Sequence, residues 1–82
     1  PFLTWLALSH NAAPGDRLRL IRRRREFLEG ELARERETLG GILADTGPMV
    51  AMAAQMVRLV IAQWEVEVRW LEELERSVQL VM

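Results

Sequence analysis

The chain has 82 residues, of which 50% are hydrophobic and 28% charged, with no cysteine and a formal net charge of −1. These values fit one small globular domain; they exclude a disulfide-stabilised scaffold and argue against a strongly basic nucleic-acid binder. A single core of this size supplies only about 3–5 kcal/mol of net stability. We therefore expect residues 1–82 to form one domain whose fold is completed by dimerisation.

The most apolar stretch of the chain covers residues 49–64 and is interrupted by Gln55, Arg58 and Gln63. It is shorter than the roughly 20 apolar residues that a transmembrane helix needs. Residues 1–8 also lack the basic start of a signal peptide. Because the absence of cysteine is compatible with a reducing compartment, we expect a cytoplasmic protein with no membrane contact.

Two proline-bearing segments, residues 13–16 and 46–48, divide the chain into three predicted helices, which cover Phe2–Ser9, Pro14–Asp45 and Pro48–Leu80. Proline suits the first helical turn, and Gly47 can end one helix and cap the next. Since the turn at Gly47 is short, the long helices should fold back on each other. The predicted fold is all-α: a short N-terminal helix plus a long, coiled-coil-like antiparallel hairpin.

The first long helix has one heptad seam, in alternating steps of three and four residues. Its members are Leu18, Ile21, Arg25, Leu28, Leu32, Glu35, Leu39 and Ile42. Glycine lowers helix propensity by about 1 kcal/mol relative to alanine. We therefore expect the helix to bend or loosen at Gly30 and at Gly40-Gly41.

The second long helix is apolar on more than one side. Its predicted seam is Val57, Val60, Trp64, Glu67, Leu71, Leu74, Val78 and Val81. A second stripe contains Leu59, Val66 and Trp70, and Met49, Met52, Met56 and Ile61 add apolar surface to its first half. Such a helix must be covered on more than one side. We predict a homodimer with an interface formed by Val57, Val60, Trp64, Trp70, Leu71, Leu74 and Val78.

Opposite charges should meet in the hairpin. The first long helix is basic at Arg22–Arg25, and the second ends with the acidic residues Glu65, Glu67, Glu72, Glu73 and Glu75. Antiparallel packing about Gly47 places residues 22–25 opposite residues 69–72, with Glu26 and Glu29 as local partners. We interpret the arginine run as an ion-paired face and not as a DNA contact.

The sequence does not favour an enzyme, a cofactor or a metal. Ser9 and His10 are adjacent, but adjacency does not create nucleophile–base geometry, and His10 is expected to be exposed or capping. No glycine-rich phosphate loop or Glu-x-x-His pattern is present. A small hydrophobic ligand is the functional alternative to plain packing: a flat compound could bind an apolar cleft between subunits lined by Trp64, Trp70, Met52 and Met56.

Several residues together resemble a known family. They are Phe2-Leu3, Pro14, Leu18, Arg24–Glu29 with Leu32-Ala33, and Trp64-Glu65 with Arg69–Leu74. Over nearly the whole chain this order resembles the C-terminal domain of PadR-family transcription regulators, in the subgroup related to virulence-gene activators. The resemblance implies a dimerisation and effector-sensing domain, with DNA contacted only through a winged-helix domain N-terminal to Pro1. A general helical protein–protein interaction scaffold unrelated to transcription is the alternative.

Overall fold

The structure is a computed structural model that describes residues 1–8, 13–45 and 47–80. These residues form three helices and no strand: α1 over Phe2–Leu8, α2 over Pro14–Leu43 and α3 over Val50–Leu80. α2 and α3 pack against each other as a hairpin, and the molecule measures 52 × 19 × 14 Å along its principal axes. The predicted all-α hairpin is confirmed. The assignments made for Ser9, His10 and Val81 lie outside the described residues.

The start of α2 follows the predicted proline signal. Pro14 stands in the first turn, and the carbonyl of Ala13 accepts hydrogen bonds from the N–H groups of Asp16 and Arg17 at 3.0 and 3.1 Å. Asp16 also complements the positive end of the helix dipole and forms an ion pair with Arg19. The helix therefore begins where the sequence places it.

The end of α2 differs from the prediction. The helix ends at Leu43, and the Ala44 N–H donates to the Gly40 carbonyl at 3.2 Å. Gly47 is not a left-handed cap, because no described glycine has a positive φ. Its carbonyl instead accepts a hydrogen bond from the Val50 N–H at 3.2 Å, at the start of α3. The helix continues through Gly30, Gly40 and Gly41.

The predicted seam of α2 is confirmed. Leu18, Ile21, Leu28 and Leu32 are buried, and the remaining seam members are half-buried: Arg25, Glu35, Leu39 and Ile42. Ile21 is fully buried and Leu28 nearly so. The seam is therefore the face of α2 that packs on α3.

The seam of α3 was predicted only in part. The buried or half-buried face, which we name the core row, consists of Ala54, Val57, Ile61, Trp64, Val68, Leu71, Glu75 and Val78. Val57, Trp64, Leu71 and Val78 were assigned correctly. Ile61, Val68 and Glu75 take the places predicted for Val60, Glu67 and Leu74, which flank the core row and are half-buried. Both of these possible rows contain apolar residues, and the position of α2 determines which of them is buried.

The short helix α1 lies against the hairpin without a buried residue of its own. Phe2 and Leu6 pack onto the hairpin core, whereas Leu3, Trp5 and Leu8 remain exposed. α1 therefore adds apolar surface to the outside of the molecule as well as covering part of the core.

Candidate interaction surface on the third helix

The side of α3 that faces away from α2 carries a second heptad row. We name it the outer row; it consists of Met52, Met56, Leu59, Gln63, Val66 and Trp70, together with Met49, which directly precedes α3. Met52, Leu59 and Val66 each stand two positions before a residue of the core row, which is about 200° around a helix. Met56, Gln63 and Trp70 stand one position before such a residue, which is about 100°. The centre of the outer row therefore lies about 150° from the centre of the core row, on the side of α3 away from α2.

The outer row is apolar and open to solvent. Met56 is 66% exposed, Leu59 59% and Val66 57%, and Trp70 is exposed by 39%. Gln63 is its one polar member. At 1.5 Å per residue the row is about 30 Å long. A continuous exposed apolar surface of this kind typically marks an interaction site.

Helix α1 extends this surface on one side. Leu3 lines a shallow hollow of about 330 Å³ together with Gln63, Val66, Glu67 and Trp70. Leu3 is itself 66% exposed. The hollow can therefore receive an apolar side chain that approaches the outer row from outside.

The residues predicted for the dimer interface lie on different faces of α3. Leu71 and Val78 are buried against α2, with 0% and 6% exposure, so they cannot contact a second copy while the hairpin is intact. Val57 and Trp64 also belong to the core row, half-buried, and Val60 and Leu74 flank it. Of the predicted residues, Trp70 alone lies on the outer row.

The residues predicted for a ligand cleft are also divided. Met52, Met56 and Trp70 lie on the outer row, whereas Trp64 packs against the hairpin core. Met52 and Trp70 are separated by about 27 Å along the helix. They do not form a cleft within one chain, and only a second chain could bring them together.

A cluster of charges connects the two long helices. The Arg22 Nε and Arg25 Nε atoms donate to the two carboxylate oxygens of Glu75 at 2.6 and 3.1 Å, and Arg25 also pairs with Glu29 at 3.1 Å. Arg25 belongs to the seam of α2 and Glu75 to the core row of α3, so one polar position of each facing seam meets the other. The predicted pairing of opposite charges is confirmed, but Arg22 and Arg25 face Glu75 and not residues 69–72.

Arg24 stabilises the opposite flank of the hairpin. Its Nε and Nη2 atoms donate to the two Glu67 carboxylate oxygens at 2.8 and 3.3 Å. Its guanidinium also lies 5.7 Å from the ring centroid of Phe2 and 5.8 Å from that of Phe27. One arginine therefore connects α1, α2 and α3.

The charge cluster shifts two pKa values. The hydrogen bond from Arg22, together with the nearby Arg25, holds the pKa of Glu75 below its ordinary value of 4.5, although partial burial opposes this. The hydrogen bond to Glu29, followed by the influence of Glu75, raises the pKa of Arg25. Both shifts favour the charged forms, so the cluster stabilises the hairpin at neutral pH.

We expect Glu75→Gln to lower the free energy of unfolding by about 2 kcal/mol at pH 7, between the values for exposed and buried ion pairs. Because the pKa of Glu75 is lower in the folded chain than in the unfolded chain, the carboxylate stabilises the fold at pH values above its ordinary pKa. This stabilisation is lost as the pH falls through the pKa of the folded state. The variant should therefore lose less stability than the parent below about pH 4.5. Urea unfolding followed by circular dichroism measures this. Glu72→Gln, at an exposed position, is the matched control; an equal effect there would contradict the assignment.

A cluster of metal-binding side chains and a membrane-spanning helix are both absent from residues 1–8, 13–45 and 47–80. No group of three His, Cys, Asp or Glu side chains there could hold a metal ion. No helix among these residues is long and apolar enough to cross a membrane. The described chain is a small all-helical domain in which the outer row of α3 is left uncovered. It matches no known protein family, no curated protein and no solved structure, so the resemblance to PadR-family regulators stays a prediction.

Proposed function

We propose that this chain is a homodimerisation domain and that the outer row of α3 is its interface. The observation that carries the proposal is the heptad spacing of exposed apolar residues from Met49 to Trp70. A row with this spacing is complementary to a second copy of itself, because knobs and holes recur at the same intervals on both helices.

The size of the surface supports a second copy as the occupant. Six apolar side chains of the outer row are each more than a third exposed. Their burial in two copies, with neighbouring atoms, would remove on the order of 1,200 Å² from water, the lower end of stable specific interfaces. The small hairpin core also leaves the isolated chain with little net stability, which association would increase.

The resemblance noted in the sequence extends the proposal to a role. The domain would hold together the subunits of a cytoplasmic PadR-like transcription regulator and respond to an effector, while a winged-helix domain contacts DNA. Arg22, Arg24 and Arg25 form ion pairs with glutamates of the same hairpin. This pairing supports the proposal that another domain contacts DNA. A winged-helix domain in the same polypeptide would distinguish this role from a helical scaffold outside transcription, because only the regulator requires one.

The mass of the chain in solution tests dimerisation. We expect sedimentation equilibrium at micromolar concentration to give twice the 9.5 kDa mass of one chain. Dilution should shift the equilibrium towards monomer with a loss of thermal stability, because association favours the folded state by mass action. A folded monomer of unchanged stability across the concentration range would contradict the proposal.

A further inference from the structure

The charges of α3 are distributed unevenly along its length, and this bears on how two copies pair. Between residues 50 and 64 the helix has Arg58 as its single charged residue, whereas residues 65–80 include five glutamates and two arginines. Glu73 continues the heptad spacing of the outer row beyond Trp70 and is exposed. In a parallel pair, Glu73 would face Glu73 of the second copy, which is unfavourable. In an antiparallel pair, each acidic half lies beside the partner's Arg58-bearing half.

We infer that two copies pair antiparallel through their outer rows, in a register centred near residue 61. This inference rests on the proposed dimerisation. The register places Met52 opposite Trp70 of the second copy, Met56 opposite Val66, and Leu59 opposite Gln63. This register is favoured because it places residues 52–70 of one copy along residues 52–70 of the other, and it leaves Glu73 at the end of the contact. A register shifted by one heptad step would bring Glu73 against Met56.

The hollow beside Trp70 fits this register. In the antiparallel pair, the methionines Met52 and Met56 of one copy approach the hollow of the other, which Leu3, Val66 and Trp70 line. Methionine is unbranched and flexible, and its sulfur makes favourable contacts with aromatic rings. The first helix therefore contributes Leu3 to the interface. The same arrangement brings Met52, Met56 and Trp70 together at each end of the dimer, which a single chain does not do.

Cysteine cross-linking tests the direction and the register, because the natural chain has no cysteine. The variants Met56→Cys and Val66→Cys are prepared separately, oxidised alone and oxidised after mixing under conditions that allow exchange of subunits. We expect a disulfide-linked dimer in the mixture and not in either variant alone. In the antiparallel pair the two copies of residue 56 are about 15 Å apart along the helix axis, beyond the roughly 7 Å that a disulfide can span.

Each outcome supports or overturns the inference. The sedimentation mass and the helical content of the reduced variants are measured first. Gln79→Cys is the control for linking by random collision, because Gln79 is exposed and lies off the outer row. Linking of each variant alone, above that control, indicates parallel pairing and overturns the inference. A dimeric mass without linking in the mixture places the interface or register elsewhere; it overturns the inference but leaves dimerisation standing. A monomeric mass for the parent chain overturns both proposals.

Discussion

Replacing Leu71 by alanine is expected to lower the free energy of unfolding by about 2–5 kcal/mol, the cost of a large-to-small change in a well-packed core. Leu71 is completely buried in the hairpin core, where Ile21 and Leu28 of α2 are also buried. Removing three carbon atoms leaves a cavity in the small core that the two helices share. Because a core of this size provides only about 3–5 kcal/mol in total, the variant should be partly unfolded at room temperature.

Urea unfolding followed by far-UV circular dichroism measures this loss. Leu80→Ala is the matched control, because it makes the same chemical change on the same helix at a position that is 87% exposed. We expect the control to remain within about 0.5 kcal/mol of the parent, as surface substitutions usually do. Equal effects of the two substitutions would mean that Leu71 does not lie in the hairpin core.

The sequence was sufficient to predict the packing face of α2 because that helix has one apolar face. Leu18, Ile21, Leu28 and Leu32 recur at heptad spacing, and most residues around them are polar, with Leu20 and Phe27 as the main exceptions. No second choice of face would bury as much apolar surface. Even the polar seam position Arg25 was placed correctly, since it interrupts a row that is otherwise defined on both sides.

The packing face of α3 could not be predicted in full because the helix has two apolar faces. At residues 60 and 61, valine and isoleucine are adjacent, and either could have joined a heptad row with Val57 and Trp64. Choosing Val60 led to Glu67 one heptad later, whereas choosing Ile61 leads to Val68. Which of the two rows is buried depends on where α2 packs, and this is a property of the tertiary structure. Val68 is easier to bury than Glu67, which favours the observed row. Leu74 is easier to bury than Glu75, which favours the other row, so the amino acids alone do not decide.

The candidate interface was affected by the same ambiguity. The sequence indicated that α3 had more apolar surface than one helix could cover, and the exposed Met56, Leu59 and Val66 agree with that. It separated Leu59, Val66 and Trp70 from the seam as a second stripe, but it did not show which of the two faces α2 covers. Leu71 and Trp70 were therefore predicted to lie in one interface. Deciding which row is free required knowing which residues α2 already covers.

Replacing Leu59 by glutamate is expected to weaken dimerisation by roughly 100-fold or more while leaving the hairpin folded. Leu59 lies in the middle of the outer row and is 59% exposed, so a glutamate there is well solvated in the single chain. In the proposed dimer it would be buried without a cationic partner, once in each subunit. Burying an unpaired carboxylate costs several kcal/mol, and each 1.4 kcal/mol changes the dissociation constant tenfold. Sedimentation velocity over a concentration series measures the change.

Gln79→Glu separates the effect of position from the effect of charge. It introduces the same carboxylate on the same helix, at an exposed residue outside the outer row. We expect this control to dimerise within about threefold of the parent chain, because an exposed charge away from the contact contributes little. Circular dichroism should give the same helical content for the parent and both variants at a concentration where the parent is dimeric. If Leu59→Glu dimerises as well as Gln79→Glu does, the outer row is not the interface; if it loses its helical content, Leu59 supports the hairpin itself and the two faces of α3 are not independent.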